Sequence, residues 1–156
     1  MIVAFKLAGG VLTVGAGGLL GLLVAESYRA RERELAAWIT ALTALQTEIS
    51  FGHTRLGEAM RRAGRAAGGA PAKVLARAAE LLEGGESGEV GECLAAALGA
   101  GPGDRRGEVD ALVVLGRRLG TSDAADQARH IGLAVGRLEG SRAKAEDAAA
   151  RNCRVW

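Results

Sequence analysis

A run of 19 uncharged residues, Leu7 to Ala25, reading LAGGVLTVGAGGLLGLLVA, sets the terms for the whole chain. As a helix rising about 1.5 Å per residue it is roughly 28 Å long, close to the hydrocarbon thickness of a bilayer. Residues 1–25 hold one charged side chain, Lys6, whereas residues 26–156 hold 19 basic and 18 acidic ones. The break at Glu26 divides the chain into an expected transmembrane anchor, residues 1–25, and a helical domain, residues 26–156. A cleaved secretory leader would carry a shorter apolar stretch, about 7 to 15 residues, and the sequence beyond Ala25 continues in a helical pattern without a turn. Arg29, Arg31 and Arg33 flank the run on one side against Lys6 on the other. Excess basic charge stays on the cytoplasmic side of a membrane, so the domain is expected in the cytoplasm. Gly9, Thr13, Gly17, Gly21 and Ala25 recur every fourth residue. Such a ridge of small side chains lets another helix approach closely in lipid, a second copy of the chain included.

Beyond the anchor, apolar residues return at helical spacing. Leu35, Trp38, Ile39, Leu42, Leu45 and Ile49 predict that the first soluble helix continues the membrane helix and ends at Gly52. Thr54 is expected to cap a second helix carrying Leu56, Ala59, Met60 and Ala63, stopped by Gly68-Gly69. A third begins near Pro71, uses Val74, Leu75, Ala78, Ala79 and Leu82, and stops at Gly84-Gly85. Ser87 is expected to cap a short fourth helix ending at Gly99, with a loop from Gly99 to Gly103. Asp104 then caps a fifth with Val109, Leu112, Val113, Gly116 and Leu119 on one face, Arg117 and Arg118 in its last turn, and Gly120 as its stop. The last helix starts at Ser122 and runs to about Ala150, its apolar face Gln127, Ile131, Val135 and Leu138. Ala124, Ala128, Gly132, Gly136 and Gly140 form a second small-residue ridge on it, expected to pack closely against a neighbour. No segment sustains a period of two, so no strand is predicted. The expected fold is all-α: an N-terminal transmembrane helix running into an antiparallel bundle of about six helices, aromatic-poor and closely packed.

The chemistry available is sparse. A net charge of +2 is far from a field that neutralises many phosphates, which argues against bulk nucleic-acid binding. Cys93 and Cys153 make no disulfide framework and have no CxxC spacing, which fits a reducing compartment. His53 and His130 lie in different elements without a second ligand at metal spacing, so no metal site is expected. Asp126 and His130 stand four apart on one helical face, but no nucleophile accompanies them, and a surface pair is the commoner outcome. A phosphate-cradling GxxxxGK[ST] is missing, so neither a nucleotide nor another cofactor is expected. Arg55, Arg61, Arg62 and Arg65 make the second helix basic, and Glu80, Glu83, Glu86, Glu89 and Glu92 recur every third residue. Opposed patches of this kind dock partners or simply keep a surface solvated. Without an active-site constellation the domain reads as a scaffold or adaptor with no small-molecule substrate.

Two stretches say more. The segment Glu48-Ile49-Ser50-Phe51-Gly52-His53-Thr54-Arg55-Leu56-Gly57-Glu58-Ala59 is one. The other is Leu119-Gly120-Thr121-Ser122-Asp123 followed by Gln127, His130-Ile131, Leu133 and Leu138-Glu139. Together with the anchor they resemble the stage III sporulation protein AB family from the N-terminus to about residue 150. The second motif is the more specific, because LGxSD followed by QxxHI at fixed spacing rarely arises from helix propensity alone. The resemblance implies a component of the channel complex joining mother cell and forespore during endospore formation. It implies residence in the outer forespore membrane, the domain in the mother-cell cytoplasm, and contact with other stage III channel proteins and a cytoplasmic ATPase. The family is also similar to the inner-membrane platform proteins of type II secretion and type IV pilus systems, so a platform subunit working in vegetative cells is the alternative. Carried onto this sequence, Gly52, His53 and Thr54 would form an interhelical turn capped by Thr54, and Asp123, Gln127 and His130 would line the start of the last helix. Family members usually continue into a second, C-terminal membrane segment. This chain stops at Arg151-Asn152-Cys153-Arg154-Val155-Trp156, and a shortened form is the expectation drawn from that, with Trp156 at the level of the membrane interface.

Overall fold

A computed structural model of the chain describes residues 2–51, 54–85, 89–99, 106–121 and 123–154, with side chains from residue 26 to 151 apart from 106–109 and the gaps between those ranges. The described residues form six helices and no strand: α1 (Ile2–Phe51), α2 (Leu56–Ala67), α3 (Gly69–Gly84), α4 (Val90–Leu98), α5 (Arg106–Arg118) and α6 (Ala124–Arg154). Each of the first four packs against the next, α5 packs on α6, and α6 returns along α1 to close the bundle. The all-helical expectation holds. Among the residues with described side chains no helix is long and apolar enough to cross a membrane, and the 7–25 run lies outside them. Its backbone is part of α1, which runs unbroken from Ile2 to Phe51.

The α1–α6 pair is antiparallel, and two contacts fix its register. Gln46 Nε2 donates to the Ala128 carbonyl at 2.9 Å, and Arg142 Nη2 donates to Glu32 Oε1 at 3.2 Å. Glu32 and Gln46 are separated by the same 14 residues as Ala128 and Arg142. Between these rungs lie the buried residues Leu35, Trp38, Leu42 and Leu45 of α1 and Ile131, Ala134 and Leu138 of α6, with buried Ala145 just beyond. Steps of three and four on both helices give the seam of a two-stranded coil. Met60, Leu75, Cys93, Leu94, Leu112 and Leu119 extend the same core through the other four helices.

Small residues decide how closely those helices approach. A Cβ built on Gly116 of α5 would lie 2.8 Å from the Gly91 Cα of α4, so the two backbones touch with no side chain between them. Likewise a Cβ on Gly64 would come within 3.1 Å of the Ala72 Cα, which fixes the α2–α3 crossing. The link between those two helices is one residue, Gly68 (φ 68°), and Gly69 has φ 59°. A turn this tight needs the positive φ that glycine adopts without strain.

Several helix starts differ from the sequence expectation. Arg55, in extended conformation, occupies the cap position of α2 without a side-chain bond, because the Thr54 hydroxyl turns back to donate to Glu48 Oε2 at 3.5 Å. Thr54 therefore joins α1 to the turn and does not cap α2. Helix α3 begins at Gly69, two residues before Pro71, which is buried. The cap of α4 is Glu89; Ser87 lies outside the described residues, as do Asp104 and residues 100–103 of the expected loop. Helix α6 begins at Ala124, not Ser122, and Asp123 is its cap: Asp123 Oδ1 accepts from the Asp126 N–H at 2.8 Å. Substitution of a cap of this kind by alanine typically costs about 1 kcal/mol.

The ridge expected on α6 is not a packing surface within the fold. Among the described residues nothing lies within 4 Å of a Cβ on Gly136 or Gly140, and on Gly132 the nearest atom is Gln46 Nε2 at 3.6 Å. The close contact falls instead on the Ile131, Ala134 and Leu138 side. Gly136→Ala and Gly140→Ala should each raise stability by about 1 kcal/mol, the helix-propensity difference, with no steric term to oppose it. Urea midpoints of the single and double variants check this, and a loss of stability would show that the ridge is covered.

Candidate functional site

The first motif stretch and the opening part of the second, Leu119 to His130, are brought to one end of the bundle, the end farthest from the apolar run. The Gln46–Ala128 bond ties the last turns of α1 to the first turns of α6. The α5–α6 turn meets the start of α2, since a Cβ on Gly120 would lie 3.8 Å from Leu56 Cδ2 and 3.6 Å from Val90 Cγ2. Leu56, Leu82, Val90 and Leu119 line a half-open groove of about 200 Å³ there, with Glu89 and Arg117 as its charged residues. At the same end, at the last position of α1, Phe51 is 87% exposed. The groove was not legible in the sequence, because its apolar residues come from four separate elements.

Of the residues singled out by sequence, Gly52 and His53 lie outside the described residues. Thr54 is held by Glu48, as above. Asp123 caps α6, Gln127 is half-buried and its N–H donates to the Asp123 carbonyl at 3.0 Å, and His130 Nε2 stands 3.4 Å from Asp126 Oδ2. Arg129 Nη2 approaches the other oxygen of the same carboxylate at 2.9 Å. Asp126 thus faces two donors within one turn of its own helix, the ordinary arrangement of i,i+3 and i,i+4 surface pairs. Among the described residues no group of three or more His, Cys, Asp or Glu could hold a metal ion. For Gly9, Thr13, Gly17 and Gly21 the backbone lies in α1, and together with Ala25 they fall outside the residues with described side chains.

The basic and acidic runs meet inside the molecule through Arg61 and Glu83. Arg61 of α2 makes a two-pronged contact with Glu83 of α3, Nη2–Oε1 2.6 Å and Nη1–Oε2 2.9 Å, and its Nε reaches Glu58 at 3.2 Å. Arg62 joins Glu58 to Glu48 of α1, and Arg65 also reaches Glu58. Gly57 makes room for this cluster, since a Cβ there would lie 2.7 Å from Glu83 Oε1. The hydrogen bonds from Arg61 hold the Glu83 carboxyl below the usual carboxylate range, and those from Arg61 and Arg62 do the same for Glu58. Both carboxyls have folded-state values below the ordinary 4.5. Their contribution is therefore complete above that value and is lost as pH falls through the lower, folded-state ones. Arg61→Met should lower the melting temperature at neutral pH and leave it nearly unchanged once both carboxyls are protonated. Thermal scans from pH 7 to about pH 2 test this; a gap that persists at the acid end would assign the loss to packing of the arginine stem.

A closed helical bundle carried on one long N-terminal helix places the molecule among all-α helical bundles. The chain belongs to the stage III sporulation protein AB family, whose family model matches residues 6–156. It is 31% identical over 157 residues to Stage III sporulation protein AB of Bacillus subtilis (strain 168), an alignment covering 94% of this chain and 87% of that relative. No solved structure matches it. Membership gives the chain a role in sporulation.

Proposed function

We propose that the chain is a non-enzymatic, single-pass membrane adaptor of the channel complex between mother cell and forespore. The 7–25 run holds it in the outer forespore membrane, and the bundle stands in the mother-cell cytoplasm, where it docks a cytoplasmic ATPase among other stage III channel proteins. The observation that carries this reading is the continuity of α1, which makes the apolar run and the core-forming half one rod. From Ala25 to Phe51 that rod measures about 39 Å, so the end bearing the first motif stretch and the opening part of the second is the part of the domain a cytoplasmic partner meets first. Exposed Phe51 and the groove at the same end supply an apolar anchor point there. Interfaces of this kind concentrate their binding energy in a few aromatic or arginine side chains.

Deletion of the gene is expected to arrest development after engulfment, and a tagged chain drawn from sporulating cells should bring the ATPase with it. Phe51→Ala should reduce that recovery without lowering the melting temperature of the domain. Normal spore yield from a clean deletion would end the proposal. Expression confined to vegetative growth would instead favour a secretion or pilus platform.

A further inference from the structure

The α1–α6 seam does not stop at the edge of the bundle. Its register puts Leu42 level with Ile131 and Leu35 level with Leu138, to within a residue of the two hydrogen-bonded rungs. A further step of seven along both helices pairs half-buried Tyr28 with buried Ala145. The second row of the seam pairs Trp38 with Ala134, half-buried Arg31 with half-buried Ser141, and then the α1 backbone at Val24 with Ala148. The burial pattern on α6 keeps this phase: Ser141, Arg142, Ala145, Ala148 and Ala149 are covered, whereas Ala143, Lys144, Glu146, Asp147, Ala150 and Arg151 are exposed. Of helices α2 to α5 only α5 contacts α6, and it does so much less extensively than α1. The helix that packs most extensively against α6 is α1, and the same register carried onward sets the backbone of residues 24 and 25 opposite this stretch. One more heptad step in the same register would set the α6 backbone at Asn152 opposite Gly21, and α6 continues as helix to Arg154.

We propose that the last two turns of α6 dock on the Val24–Gly21 face of α1, so that the α1–α6 seam extends into the cytoplasmic boundary of the membrane. The proposal rests on the reading of residues 7–25 as a membrane anchor only for where this seat lies, not for whether it forms. Gly21 lies in the seam's phase, and with no side chain it lets the α6 backbone come close. The cytoplasmic half of the small-residue ridge is therefore occupied by the chain's own C-terminal turns. A second copy meeting the ridge there would collide with α6. Two helices, not one, stand at the root of the domain, and they fix the direction in which it leaves the membrane.

Disulfide trapping in the full chain decides the matter. In a Cys153→Ser background, reconstituted in phosphatidylethanolamine–phosphatidylglycerol liposomes, the pair Gly21→Cys with Asn152→Cys is oxidised with copper phenanthroline beside the reference pair Glu32→Cys with Arg142→Cys. Both are expected to give a faster-migrating, reductant-sensitive monomer, and Gly21→Cys alone should give no covalent dimer. A covalent dimer from Gly21→Cys alone overturns the proposal, and so does a bridged reference pair with an unbridged Gly21–Asn152 pair. Failure of both pairs overturns the register itself and the proposal with it. Carbonate extraction of the same samples reads the anchor separately: a bridged chain released by carbonate keeps the seat and loses the anchor, and a retained, unbridged chain does the reverse.

Discussion

Ile131→Ala is expected to destabilise the domain by about 2–5 kcal/mol, the range for truncating a fully buried aliphatic side chain in a core that cannot collapse around the loss. Ile131 is 0% exposed and lies level with Leu42 in the α1–α6 seam, where Gln46 and Arg142 pin the two helices on either side. Pinned from both ends, the helices cannot close the gap that the shortened side chain leaves. Against a total stability of roughly 5–15 kcal/mol for a domain of this size, such a loss is a large share of the whole. Urea unfolding should show a lower midpoint at unchanged slope, which marks a true stability change. Leu133→Ala, two residues on, is the control, since Leu133 is 59% exposed and should shift stability by no more than about 0.5 kcal/mol. Equal effects from the two would mean that α6 is rotated from the orientation described.

Gly116→Ala should act in the opposite sense to the glycine substitutions on α6. A mid-helix alanine gains about 1 kcal/mol of propensity over glycine. Here the added carbon would sit 2.7 Å from Leu94 Cδ1, 2.8 Å from Gly91 Cα and 3.1 Å from Gly91 N. The leucine methyl can turn away; the backbone of α4 cannot. The helices must part, and overpacking of this kind costs about 1–3 kcal/mol, more than the propensity gain offsets. Gly91→Ala meets the same obstacle from the other side, with Arg117 N 2.9 Å from its Cβ. The double variant should be worse than either single one, and thermal scans of the three proteins beside Gly136→Ala give the comparison. A Gly116→Ala protein as stable as the parent would mean that α4 and α5 do not cross at this point.

These glycines show where the sequence is informative and where it is silent. Gly68, Gly85 and Gly99 were legible as helix stops because termination is local: a glycine that closes an apolar run at helical spacing supplies the positive φ on which these helices end. The seam residues Leu35, Trp38, Leu42 and Leu45 were equally legible, since burial follows their period. Inside a helix, however, a glycine registers only as a propensity cost. Whether it is a contact, as at Gly91 and Gly116, or an open position, as at Gly136 and Gly140, depends on which helix lies opposite. In a chain with 24 glycines, fourth-residue spacing on α6 was a misleading cue. Thr54 misled for a related reason: its hydroxyl had two possible partners, and the acceptor it uses, Glu48, belongs to the preceding helix. The two motif stretches were visible individually, but the meeting of the first with the opening part of the second at one end follows from the α1–α6 register, which no local pattern encodes.

The unbroken hydrogen-bond ladder of α1 also has a mechanical meaning. A helix of 50 residues without a hinge transmits torque as well as position, so a turn imposed near its first residues reappears at Phe51. Each residue added or removed between Ala25 and Leu35 would swing the far face by about 100° around the axis. The length of that short stretch is therefore a gear setting: it decides which side of the domain faces its neighbours.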